Sequence, residues 1–239
     1  MSTDKPFTKE NLDTYLKELG KEFRKLNGTK MPAEIILIGG AAILANYGFR
    51  EVTYDIDAVI ASSSSMKEAI NHVGDKFGLP SGWLNTNFTK TSSFSRKLPQ
   101  ISVFYKTFSN IITVRLVSAE YLIAMKLMSG RQYKYDLSDV VGILLEHQRK
   151  GNPISKDKIE NAISVLYGKN AMLPSVSHKL LDDAFADDDY ERAFKDIREN
   201  EKQAKDVLLD FDNSHPGELK SEDIDSILEM ARRKKQKND

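Results

Sequence analysis

Residues 34–60, EIILIGGAAILANYGFREVTYDIDAVI, leave the chain few ways to fold. Residues 34–38 are apolar and largely β-branched, which suits a buried strand, and AAILANY after the glycines favours a short helix stopped at Gly48. Residues 53–61 read as a second strand. Successive strand residues alternate sides, so Asp55 and Asp57 share one face while Tyr54, Ile56, Ala58 and Ile60 turn to the core. Two carboxylates about 7 Å apart by that geometry repel each other, and an apolar strand adds desolvation. A hard divalent cation such as Mg²⁺, shared with the oxygens of a substrate phosphate, relieves both. Gly39 and Gly40 stand where strand becomes helix; there the backbone can approach a ligand, and the helix start offers free N–H groups to a phosphate. No GK[ST] follows, so this is not a P-loop, and a G-x-G-x-x-G fingerprint is absent. Taken singly, D-x-D also fits a solvated strand end and GG an ordinary turn.

The rest of the chain reads as mixed, then helical. Leu12, Leu16, Leu19, Phe23 and Leu26 predict a helix over 9–27 ended by Gly28, and a serine run leads into another over 65–77. Residues 78–99 are rich in Gly, Pro, Ser, Thr and Asn and read as loop. QISVFYK and NIITVRLV alternate as two strands of a hairpin across KTFSN. YLIAMKLM reads as a helix ended by Gly130, and Leu137 to Leu145 mark the next. Beyond Lys150 only short amphipathic helices are expected, which puts a boundary at 150–153. The predicted architecture is α+β: a domain over 1–150 with a small mixed sheet flanked by helices, and an α-helical subdomain over 151–239.

Charge and composition narrow the chemistry. The 35 basic and 35 acidic residues cancel overall, but residues 1–150 carry +5 and 151–239 carry −5. No acid lies between Asp75 and Glu120, where Lys76, Lys90, Arg96, Lys97, Lys106 and Arg115 are interleaved with aromatics. Such a stretch suits a polyanion, or is a basic face over core aromatics. The acidic run ADDDYE is expected to pack on the basic front part and close its cleft, and the tail at Arg232–Lys237 to be a solvated helix end. With no cysteine, thiolate chemistry and disulfides are excluded, and four scattered histidines argue against zinc. No apolar run approaches the roughly 18 residues that span a bilayer, and MSTDKPFTKE lacks a signal-peptide pattern. A cytoplasmic protein without membrane contact is expected.

In order and context, strand, GG, helix and D-I-D resemble the nucleotidyltransferase superfamily. REVTYDID is similar to the R-x-x-T-x-D-I-D of AbiEii-type and related nucleotidyltransferase-like families, and EYLIAMKLMSGRQYKYDLSDVVGIL to their helical signature. The resemblance spans residues 33–148, including the WLN at Trp83–Asn85. It implies that Asp55 and Asp57 hold Mg²⁺, that Gly39, Gly40, Arg50, Thr53, Lys126 and Arg131 contact a nucleoside triphosphate, and that Lys126 is catalytic. It offers Asp136 and Asp139 as possible additional acids, although both also suit the start of a helix. A lysine edging past the core and an arginine answering a helix C-terminus are the plainer accounts of Lys126 and Arg131.

One feature of the superfamily is missing. A third carboxylate is expected on a strand neighbouring D-I-D, here ISVFY or ITVRLV, and those strands offer only Ser102 and Thr113. Two readings therefore stand. In the first, a Mg²⁺-dependent enzyme moves a nucleotidyl group to an RNA 3′ end (a tRNA-like acceptor) or to a protein hydroxyl, as a toxin of a toxin–antitoxin or phage-defence system with a cognate antitoxin. In the second, the same pocket binds nucleotide or nucleic acid without turnover. A metal-dependent glycosyltransferase also uses D-x-D, but too few strands precede residue 120 for its larger sheet.

Overall fold

The computed structural model describes residues 5–29, 31–187, 189–220 and 223–236. Helix α1 (Lys9–Asn27) starts in a reciprocal cap, with Thr8 accepting from the Asn11 N–H and the Asn11 side chain accepting from the Thr8 N–H, and stops at Gly28. It buries Leu12, Leu16, Leu19 and Phe23. Strand β1 (Ala33–Leu37), wholly apolar but for Glu34, feeds α2 (Gly39–Asn46). Strand β2 (Ile56–Ala61), α3 (Ser65–Phe77), the two-residue β3 (Leu84–Asn85), the short α4 (Leu98–Ile101), β4 (Ser102–Phe108) and β5 (Ile112–Val117) follow. Then come α5 (Ala119–Ser129), α6 (Asp136–Arg149), α7 (Lys156–Tyr167), α8 (Ser175–Asp187), α9 (Tyr190–Ser214) and α10 (Ile224–Gln236).

The five strands form one mixed sheet in the order β3-β2-β1-β5-β4. The most apolar strand, β1, sits at its centre, antiparallel to β2 and parallel to β5, as burial on both faces requires. The expected α+β class and helical C-terminal region are what the chain adopts. The hairpin expected across KTFSN forms with a shorter connection: Lys106, Thr107 and Phe108 continue the strand, and the reversal is made at Ser109 and Asn110, both at positive φ. That handedness matches the twist of a hairpin. β2 begins at Ile56 rather than Thr53, so Tyr54 precedes the sheet and is 53% exposed instead of buried.

One apolar cluster runs from Phe7 to Tyr190, so α7, α8 and the start of α9 share the core of the sheet. A small separate cluster, Ala204, Leu208, Ile227 and Leu228, joins the end of α9 to α10. The stretch read as loop contains β3, held by Trp83. The Trp83 indole N–H donates to the Ile70 carbonyl (2.9 Å), and its ring lies against Gly74. The Trp83 carbonyl accepts from the Ile56 N–H (3.1 Å), setting β3 beside β2.

Candidate functional site

A cleft of about 1240 Å³ opens beside the glycine turn, with Asp55 and Asp57 in its wall. Its floor is built by local backbone chemistry. Ile38 is extended, Gly39 takes φ +56, and α2 starts there without any side-chain cap. A left-handed residue is inexpensive only for glycine. The Ile38 N–H donates to the Asp57 carbonyl (3.1 Å), tying the turn to the aspartate strand. A Cβ on Gly39 would lie 3.9 Å from Asp57 Oδ2, so the turn faces that carboxylate. The uncapped N–H groups at the start of α2 are therefore donors aimed where a negatively charged group can reach them.

The two aspartates sit in different surroundings. Asp55 precedes β2, is exposed, and is steadied by Thr53, whose hydroxyl donates to the Asp55 carbonyl (3.2 Å) and carboxylate (3.4 Å). Thr53 itself is buried and bridged to Phe7 through a pair of backbone hydrogen bonds. Asp57 lies in the strand, half-buried. Burial, and then the neighbouring charge of Asp55, raise its carboxyl above the ordinary value, partly offset by Arg131, Asn85 and Lys134. Two hard oxygen donors, one held up in pKa by burial and then by its twin, beside a helix N-terminus suit a Mg²⁺ ion that keeps waters and takes phosphate oxygens. Among the described residues no third acid or histidine joins them in a metal-binding group.

Behind this front lies a buried ionic cluster. Lys126 Nζ meets Asp136 Oδ1 at 2.7 Å and Asp139 Oδ2 at 2.9 Å, and both aspartates are fully buried. Burial alone would push Asp136 up, but the Lys126 ammonium and the Arg131 guanidinium hold it far below the usual carboxylate range. Burial likewise opposes the charge on Lys126, but Asp136 and Asp139 keep its pKa above the ordinary value. Arg131 donates to Asp136 through its side chain (2.8 Å) and its own backbone N–H (3.3 Å), folding the loop between α5 and α6 onto itself. Arg50 pairs with Asp139 and lies over Gly40, where a Cβ would come within 2.8 Å of its Nη2 and 2.7 Å of the Thr53 hydroxyl. Gly40 thus makes room for Arg50.

These contacts correct several expectations. Lys126 lines the cleft, but its ammonium is spent on two carboxylates instead of pointing freely at a ligand. Asp136 and Asp139 are neither helix caps nor available acids: the residue before α6 is Tyr135, without a capping side chain, and both carboxylates turn inward to cations. Arg50 and Thr53 act through Asp139 and Asp55. Arg131, half-exposed, keeps a face toward the cleft. Glu120 lines a separate small pocket with His147. The strands expected to supply a third acid lie on the far side of β1; the neighbour of β2 is β3, with Asn85 opposite Asp57. The basic stretch is largely answered at home, with Lys76 on Glu18 and Lys106 on Asp13, both acids of α1.

The C-terminal half supplies what the motifs do not. The buried carboxylate of Glu201 on α9 accepts from the N–H groups of Leu137 (2.9 Å) and Ser138 (3.2 Å), capping α6 from another helix. Arg198 bonds the Ser138 hydroxyl (3.1 Å), approaches Asp139 (3.5 Å) and lies 3.8 Å from the Tyr135 ring centre. Lys205 and Leu208 continue this wall of the cleft. The acidic run contributes little to it: Asp187 and Asp189 pair with Arg192, Glu191 reaches Arg149 and Lys195, and Asp188 lies outside the described residues, as does the end of the basic tail at Lys237. Glu201 did leave a signal, since Ile197, Glu201, Ala204 and Leu208 recur at helical spacing and place an acid in an apolar stripe.

Residues 14–148, more than half of the chain, match a protein family described as "Nucleotidyltransferase of unknown function (DUF6036)". No curated protein and no solved structure matches the chain. Among the described residues, no helix is long and apolar enough to cross a membrane.

Proposed function

The chain belongs to this family of nucleotidyltransferases, and from that membership and the cleft we propose that it moves a nucleotidyl group from a nucleoside triphosphate to an acceptor hydroxyl. The observation carrying the reading is that the Gly39 turn, the Asp55 and Asp57 pair and the half-exposed Arg131 all line one cleft. In this reading Asp55 and Asp57 hold Mg²⁺, which when bound neutralises the phosphate charge. The N–H groups at the start of α2 take phosphate oxygens. Arg131 and Lys134, both in the cleft wall, draw the charge that builds on the departing pyrophosphate. The acceptor oxygen bonds to the α-phosphorus as the bond to pyrophosphate breaks in line, the hydroxyl proton passing to water, and the residues' contribution is position and charge. Lys126 serves one layer back, holding Asp136 against Arg131.

For the acceptor we propose an RNA 3′ end over a protein hydroxyl. Tyr54, Phe88 and Tyr133 line the cleft together with Lys134, Lys205 and Arg198, and aromatic faces among cations suit stacked bases on a charged backbone. A growth-inhibiting role restrained by a partner protein goes with that acceptor. The absence of a third acid among the described residues favours the second reading, nucleotide binding without turnover.

Each α-labelled NTP is incubated with the full chain, Mg²⁺ and total RNA or cell lysate, beside Asp55→Ala/Asp57→Ala. Label reaching RNA with the wild type alone supports the enzyme; label on protein moves the acceptor. Metal-dependent binding of nucleotide with no transfer to any acceptor supports the second reading.

A further inference from the structure

Trp83 sets Leu84 opposite Ile56 and Asn85 opposite Asp57 in parallel register. The half-buried Asn85 side chain is oriented by its own turn, since its Oδ1 accepts the Asn87 N–H at 2.9 Å. That bond turns the NH₂ end away from the turn, and the register sets Asn85 beside Asp57, where it helps hold the Asp57 carboxyl down against burial. An amide NH₂ has no lone pair for a cation. An aspartate here would keep the bond to Asn87 and turn a second oxygen to the site. Among the described residues no other acid or histidine completes a group of three with Asp55 and Asp57.

We infer that Asn85 is a positioning residue that presents Asp57 to the cleft and, as a neutral donor beside it, restricts the site to one divalent cation. The inference rests on the nucleotidyltransferase reading, which supplies the cation. Hydrogen bonds to ligating carboxylates typically govern metal affinity by about 10–100-fold, so the effect is measurable without turnover.

The test is a Mn²⁺ titration of the full chain without nucleotide, read as free-ion signal by electron paramagnetic resonance and as heat by calorimetry. The wild type is expected to take up one equivalent. Asn85→Ala is expected to weaken that binding about 10–100-fold while its melting curve stays cooperative above the assay temperature. Asn85→Asp, which preserves the Asn87 contact but replaces the donor by an oxygen, is expected to take up two equivalents. Asn85→Ala or Asn85→Asp binding Mn²⁺ with wild-type affinity and stoichiometry overturns the inference, as does a wild type that takes up two. Should Asn85→Ala fail to fold, Asn85→Asp alone decides. If wild type binds one Mn²⁺ that Asp57→Asn abolishes, yet both Asn85 variants are unchanged, only the Asn85 role falls. If the wild type binds no Mn²⁺, with or without a non-hydrolysable NTP, the nucleotidyltransferase reading falls with it.

Discussion

Glu201 shows how one side chain can couple two halves of a chain. Burial raises its carboxyl to about 7, with Asp139 nearby adding to the rise and the Ser138 and Leu137 contacts opposing it. A raised acid binds its proton more tightly in the folded state, so its contribution to stability is largest below the unfolded value of 4.5 and declines as pH rises to about 7. At 1.36 kcal/mol per unit the decline amounts to about 3 kcal/mol. The melting temperature of wild type minus that of Glu201→Ala is therefore expected to shrink between pH 5 and pH 8. A gap that stays constant or widens contradicts the assignment. Lys126 makes the complementary case. Removing it leaves Asp136 and Asp139 buried against a reduced set of cations, and breaking a buried pair in this way costs about 3–5 kcal/mol. Lys126→Met should therefore lower denaturant resistance far more than Arg131→Met, whose side chain is 45% exposed. Equal losses would mean that the ammonium is not what holds the cluster together.

Among the elements, α6 and α9 work as a unit. α6 carries Asp136 and Asp139 into the interior, and α9 supplies the carboxylate that caps it and the guanidinium that approaches it. The C-terminal end of α9 is held differently, through the small cluster it shares with α10. A cluster of a few side chains, apart from the main core, opens at lower free energy than a central strand. Leu208→Asp should accelerate amide hydrogen exchange across α10 while β1 keeps its protection. Loss of protection in both would show that α10 and the sheet open together. At this scale most of the helices are legible in the sequence, because their apolar spacing is regular and Gly28 and Gly130 mark ends locally. β3 is not, since two residues in a polar stretch carry no periodicity; they are strand because Trp83 is anchored on α3.

Over the whole molecule, the charge difference between the halves turns out to be a poor guide to their contact. The front and back meet through Glu201, Arg198 and an apolar cluster that includes Leu180, Leu181, Ala184 and Tyr190. Truncation at residue 169 uncovers that cluster and removes the Glu201 carboxylate that caps α6, a helix cap being worth about 1 kcal/mol. The truncated chain should aggregate or melt well below the full chain; an equally stable, soluble fragment would refute a shared core. What the sequence determined alone was whatever neighbouring residues settle among themselves: the glycine turn, the apolar strand that carries Asp57 with Asp55 just before it, the helix ends, and hence the cleft front of Gly39, Asp55 and Asp57. Only the tertiary structure decided how the other charges are used. Lys126, Asp136 and Asp139 could each have faced a ligand, and it is their burial against one another that turns them inward. Asn85 and Glu201 come from segments distant along the chain, and which charge meets which partner across such distances is set by packing that no local pattern encodes.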